Sequence, residues 1–232
     1  MKSHGGLTDG IGAIRMNFQQ LCASIRHDGS ANRYLLGLVG APASGKSTLA
    51  AAMARTLPDT LVLPMDGFHL DDRILDARGH RHRKGAPHTF DVAGLATLLR
   101  RVRIEPQLYA PAFDRSIEIA RAAAIEIGPD TRVLIVEGNW LLHDRDGWDG
   151  IRPLLDACWA LELPISVLER RLIDRWRRHR IPAAQARAKI ELNDLPNARL
   201  AADTFSRADR IIDGLSITGG AVDSAVRSES DC

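Results

Sequence analysis

Five short apolar runs are spaced along the chain: YLLGLVG at 34–40, TLVLPMD at 60–66, RVLIVEG at 132–138, CWALEL at 158–163 and ADRIID at 208–213. Each is too short for a helix and is stopped by glycine, proline or an acid, and all but the last are largely apolar, which is the pattern of strands in a sheet covered on both faces. Helical periodicity lies between them. It covers about 46–56, VAGLATLLRRV after a capping Asp91, ISVLERRLIDRWRRH at 165–179, and PAAQARAKIEL at 182–192 with Pro182 in its first turn. Ahead of the first run, Ile14, Phe18, Leu21, Cys22 and Ile25 share one helical face and predict a helix over 11–25. Strands alternating with helices predict an α/β fold, a mainly parallel five-stranded sheet with helices on both faces. The expected division is an N-terminal extension and helix at 1–33, one domain at 34–213, and a weakly ordered small, polar tail at 214–232.

Composition changes this picture little. The chain has 232 residues, 45% hydrophobic and 26% charged, with a formal net charge of +2. Those values describe an ordinary globular protein and give no general case for a nucleic-acid or membrane partner. Its three cysteines, Cys22, Cys158 and Cys232, are far apart and not at metal-ligand spacing, so neither a disulfide framework nor a zinc site is expected. The N-terminus lacks an apolar signal core and no run of 18 apolar residues occurs, so a cytoplasmic protein with no membrane span is expected.

The first apolar run leads into Gly40, Ala41, Pro42, Ala43, Ser44, Gly45, Lys46, Ser47 and Thr48. Glycine, four residues, glycine, lysine and serine, placed between a predicted strand and a predicted helix, form a P-loop. The glycines let the backbone amides turn inward, and the helix N-terminus adds positive potential toward a polyphosphate. Lys46 is expected to reach the β and γ phosphates of ATP, and Ser47 to place its hydroxyl on Mg2+.

The remaining acids and bases choose among P-loop chemistries. No Asn-Lys-x-Asp guanine-reading stretch occurs, which weighs against a GTPase. Asp66 and Glu137 each stand at the carboxyl end of a predicted strand, where α/β sheets handle ligands. Asp66 is the candidate base for an attacking hydroxyl, and Glu137 is placed to orient metal-bound water or assist the substrate. The run RRLIDRWRRHR at 170–180 puts Arg171, Arg175 and Arg178 on one helical face, in a lid of about 170–190 that closes over the nucleotide, with Arg175 favoured for the transferring phosphoryl group.

The ordered series GAPASGKST, PMDGFHLDD, RKGAPHTFD, YAPAFDRS, LIVEGNWLL, the arginine-rich lid and NDLPNARLAADTFSRADRII resembles the phosphoribulokinase and uridine kinase family. That family includes pantothenate kinase, and the resemblance is nearest to its fructose-transport-associated, sugar-kinase-like branch. It implies the P-loop NTPase fold and an ATP- and Mg2+-dependent kinase, with Asp66 as base and Glu137 as the strand-end acid. It also implies that His69, Arg83, Lys84, Tyr109, Asp114 and Arg115 lie on the acceptor side, and that Asn197 and Thr204 border the adenine. GAPHTFD departs from the uridine kinase pattern and turns the expected acceptor from a pyrimidine nucleoside toward a sugar. Three alternatives stay open: a nucleoside or pantothenate kinase, a transport-associated regulatory ATP-binding protein or slow NTP hydrolase without acceptor chemistry, and nucleic-acid binding by the arginine run. A homodimer is compatible with the sequence.

Overall fold

The computed structural model describes residues 13–25 and 33–217. Five strands make one parallel sheet: β1 (Tyr34–Gly40), β2 (Thr60–Pro64), β5 (Val133–Gly138), β6 (Ala157–Glu162) and β7 (Arg210–Asp213), in the order β2-β5-β1-β6-β7. β1 is central. Leu35 to Val39 pair with Leu134 to Gly138 on one side, and Leu36 to Gly40 pair with Ala157 to Leu161 on the other.

Side chains alternate across this sheet with period two. Leu35 and Val39 of β1, Leu134 and Val136 of β5, and Cys158 and Ala160 of β6 enter one core, where α4 (Val92–Val102) contributes Leu95 and Leu99. Leu36, Leu38, Ile135, Trp159 and Leu161 enter a second core against Leu49, Ala50 and Met53 of α2 (Lys46–Thr56) and Leu21 of α1 (Phe18–Ala23). Both faces are therefore covered, and the continuous apolar runs follow from that. Asp91 caps α4 as its side chain accepts from the Gly94 amide at 2.9 Å.

Four expectations change. The helix predicted over 11–25 shrinks to α1, because Ile14 instead extends the sheet beside β7, its amide bonding the Ile211 carbonyl at 2.7 Å. A two-stranded antiparallel hairpin, β3 (Leu108–Asp114) and β4 (Ile119–Ile127), stands outside the predicted set, as does the short α3 (Asp72–Ala77). The helix predicted over 182–192 starts after Pro182 as α6 (Ala183–Lys189), passes through a π-helical turn at Ile190–Asp194 and continues as α7 (Leu195–Ala202), while α5 (Ile165–Arg178) precedes it. Gly214–Ile217, expected in the tail, form the short α8 with Ile217 buried. The rest of that tail, the first twelve residues and the predicted break near 27–32 lie outside the described residues.

The hairpin is seated by one glycine. A Cβ on Gly67 would lie 2.3 Å from the Pro111 carbonyl oxygen of β3, so only glycine lets β3 approach the 3-10 turn Met65–Phe68 that follows β2.

Candidate active site

The phosphate loop leaves the carboxyl end of β1 and enters α2 at Lys46. A Cβ on Gly40 would lie 2.4 Å from Ser44 Oγ. The loop folds tightly on itself, with the Ser44 amide donating to the Ala41 carbonyl at 3.1 Å. Gly45 takes φ 93° and Ala43, without a glycine's freedom, φ 63°. Ser44 is 3% exposed and its hydroxyl has no hydrogen-bond partner among the described residues. Ala41 and Pro42 are buried, while Thr48 is half-buried on α2. Burial lowers the pKa of the Lys46 ammonium, against the upward pull of Glu137 and Asp66. Ser47 donates its hydroxyl to Glu137 Oε1 at 3.0 Å. Glu137 is 6% exposed; burial raises its carboxyl, Lys46 opposes this and Asp66 adds to it. A hydroxyl and a carboxylate, both hard oxygen donors, thus meet beside the phosphate loop, and this donor set suits Mg2+ held by few protein ligands.

Asp66 lies in the 3-10 turn after β2, beside the carboxyl end of β5. Its Oδ2 accepts an ion-paired hydrogen bond from Arg115, which stands just beyond β3 at the tip of the hairpin. Burial alone raises the Asp66 carboxyl, but His69, Arg115, Lys46 and Arg175 together carry it below the ordinary aspartate range. His69 bonds the Asp66 carbonyl through Nδ1 at 2.8 Å, and its ring lies between Phe90 and Phe113 at 4.1 and 4.7 Å. Burial lowers the His69 pKa, against Asp66. With the ring neutral and Nδ1 donating, Nε2 is left as an acceptor.

Lys84 bonds Asp72 Oδ1 at 2.7 Å and the Glu118 carbonyl at 2.8 Å, and lies 5.0 Å from the Phe113 ring centroid. It therefore ties α3 to the hairpin tip. Arg83 is engaged by the π turn and α7 that follow the lid, donating to the Leu192 carbonyl at 2.5 Å and to Asn197 Oδ1 at 3.3 Å. Asn193 returns a bond to the Lys84 carbonyl at 3.0 Å. The cause is Pro196, in the first turn of α7. A proline there has no N–H to give the carbonyl four residues back, that of Leu192, and its ring crowds it. The π turn relieves the crowding, and Arg83 takes the released carbonyl.

The three lid arginines separate. Arg171 of α5 donates to the Ser44 carbonyl at 2.9 Å. Arg175 is half-buried and close enough for its charge to lower both Asp66 and Lys46. Arg178 is exposed and, among the described residues, bonds only the Asp174 carbonyl, at 3.4 Å, so the structure does not bring it to the loop. Two acceptor-side residues also stand apart. Tyr109 is 54% exposed and accepts from Gln107, and Asp114 folds the hairpin turn by accepting from the Ser116 amide and hydroxyl. Asn197 meets Arg83 from within α7, and Thr204 gives its hydroxyl to the Ala201 carbonyl at 2.7 Å. Neither has a hydrogen bond to the phosphate loop. The sequence reading passed over Asp72, Asn193, and the 2.7 Å bond from Trp176 of the lid to Asp194 of the π turn; the proline within NDLPNARL was the one available signal for Asn193.

No family model matches the chain. A Schizosaccharomyces pombe protein named "Putative uridine kinase C227.14" is 36% identical over 155 residues, 62% of this chain and 66% of that protein. "Uncharacterized protein YggC" of Escherichia coli K12 is 34% identical over 187 residues, 78% of each chain. Among solved structures, a "putative fructose transport system kinase" from Silicibacter sp. TM1040 superposes with a TM-score of 0.79 at 41% identity, over 84% of this chain and 98% of the other. This chain belongs to the phosphoribulokinase and uridine kinase family of P-loop kinases. It is a phosphotransferase of the α/β P-loop fold. The Rhodobacter phosphoribulokinase structure, at 16% identity and a TM-score of 0.55, shares that fold.

Proposed function

We propose that the chain is an ATP- and Mg2+-dependent kinase that transfers the γ-phosphoryl group to a hydroxyl of a small metabolite, most plausibly a sugar. The kinase domain is 34–213 and the lid is 170–190. One observation carries this reading: Asp66, Lys46 and the Ser47–Glu137 pair converge at the carboxyl ends of three adjacent parallel strands.

Arg115 holds Oδ2 of Asp66 and leaves Oδ1 for the acceptor hydroxyl. The hydroxyl oxygen forms the new bond to the γ phosphorus and its proton passes to Asp66. The bond from that phosphorus to the β,γ-bridging oxygen breaks, and ADP leaves. A carboxylate held below its ordinary pKa is a weak base. It suits a loose phosphoryl-transfer transition state, in which positioning and charge do most of the work. Ser47 and Glu137 would hold Mg2+, which supplies charge neutralisation on the phosphates when bound. Lys46 and Arg175 offset charge on the transferring group.

The likeness to a protein described as a fructose transport system kinase supports a sugar, and the likeness to one described as a uridine kinase keeps a nucleoside as the second reading. Acceptor-dependent ADP release against sugars, nucleosides and pantothenate, with the product identified by mass spectrometry, tests both. A rate equal to the no-acceptor rate throughout would leave a nucleotide-binding regulator. With the acceptor in hand, Asp66→Asn is expected to lose transfer by about 10²–10⁴-fold while still binding ATP; undiminished turnover removes Asp66 from the base role.

A further inference from the structure

Ala43 is held at φ 63°, in the left-handed region where a residue with a Cβ is strained and glycine is not. Strain kept beside a binding loop points to a task for the side chain that causes it. Here the methyl has a definite destination. It packs against a small apolar cluster made of Leu172 and Ile190 of the lid and Leu195 of α7, joined by Trp176 of the lid. At the same place Arg171 of the lid helix reaches the main chain of the loop, bonding the carbonyl of Ser44 and, at 3.5 Å, that of Ala43 itself. Arg175 adjoins this cluster, one residue from Trp176 and with its guanidinium 5.7 Å from that ring.

We propose that Ala43 is a positioning residue for Arg175: its methyl transmits the seating of the nucleotide in the phosphate loop to the lid. The loop binds phosphate through main-chain amides, for which glycine would serve as well. What glycine lacks is the methyl that engages the lid. A change in loop shape on nucleotide binding displaces this Cβ, and through Leu172 and Trp176 turns the segment of α5 that carries Arg175. The proposal rests on the reading of 40–47 as a nucleotide site, and its test separates the two.

The probe is the β,γ-imido analogue of ATP with Mg2+, and the readout is acrylamide quenching of Trp176, isolated as the difference between each protein and its Trp176→Phe counterpart. Protection is compared at saturating analogue, so that modest changes in affinity cancel. The wild-type protein is expected to bind the analogue and protect Trp176. Ala43→Gly is expected to bind with less than half of that protection, and Ala43→Ser, which restores a Cβ, to recover it. Failure of the wild type to bind the analogue removes the nucleotide-site reading and this proposal with it. With binding intact, absence of wild-type protection, full protection in Ala43→Gly, or loss in both variants overturns the coupling alone. An affinity loss beyond tenfold in Ala43→Gly also overturns it, because the methyl would then be shaping the loop instead of moving the lid.

Discussion

Asp66 sits under opposing influences: burial favours its neutral form, and the surrounding positive groups favour the carboxylate and win. Arg115 is the one of them that ion-pairs with its carboxylate. Replacing Arg115 with Met leaves burial less opposed, so the Asp66 carboxyl is expected to titrate at higher pH than in the wild type, read by carbon NMR of the labelled side chain. The stability consequence has a definite sign. With a folded pKa below the unfolded value of about 4, ionised Asp66 stabilises the fold above that value, and the contribution is lost as pH falls through the folded pKa. In Arg115→Met that contribution is smaller and its loss is complete at a higher pH. An unmoved titration would mean that His69, Lys46 and Arg175 hold the carboxylate without Arg115.

Elements differ in how openly they announce themselves. The central strands β1, β5 and β6 were legible because both faces of the sheet are covered, so each is largely apolar; the edge strands β2 and β7 were legible as short apolar stretches that end in an acid. The phosphate loop was legible because its spacing is fixed by what a polyphosphate needs. The hairpin was not: β4 reads IARAAAIEI and is mostly exposed, Pro111 breaks the ladder in β3, and the register shifts between Ala110 and Ala112, so no alternation of large side chains survives. The N-terminal helix was overdrawn because Ile14 meets the sheet edge, a long-range contact that periodicity does not carry. The roles of Arg83 and Asn197 depend on the π turn that joins α6 and α7 across Pro196, so motif position placed both residues on the ligand side when they bind each other. Arg83→Met is therefore expected to free the π turn and α7 from the 83–85 loop, and with them the lid that they anchor. Trypsin should then cleave at exposed Arg177, Arg178 and Arg180 several-fold faster than in the wild type, and an unchanged digestion rate would show that Asn193 and the lid's apolar contacts suffice.

At the scale of the whole molecule, one side chain gathers several segments at the end of the sheet away from the site. Arg33, just ahead of β1 and 8% exposed, spends its five N–H groups on five main-chain carbonyls, those of Val102, Glu105, Pro106, Gly128 and Thr131. It gathers the end of α4, the link into β3 and the link into β5. Arg33→Met orphans these carbonyls and is expected to cost about 3 kcal/mol, or roughly 6–12 °C in Tm for a chain of this size, measured by thermal unfolding; a shift under about 2 °C would mean that water replaces the guanidinium. The strand that follows Arg33 has a separate history. β1 becomes the middle of the sheet, yet its first partner, β5, begins only at Val133. At about 5–20 residues per second on the ribosome, the intervening stretch of about 90 residues takes about 5–20 s to make. Throughout that time LLGLV has two open edges and two greasy faces, the features that recruit wrong strands. The segment whose end becomes the phosphate loop is thus the part of the nascent chain most in need of a chaperone's cover.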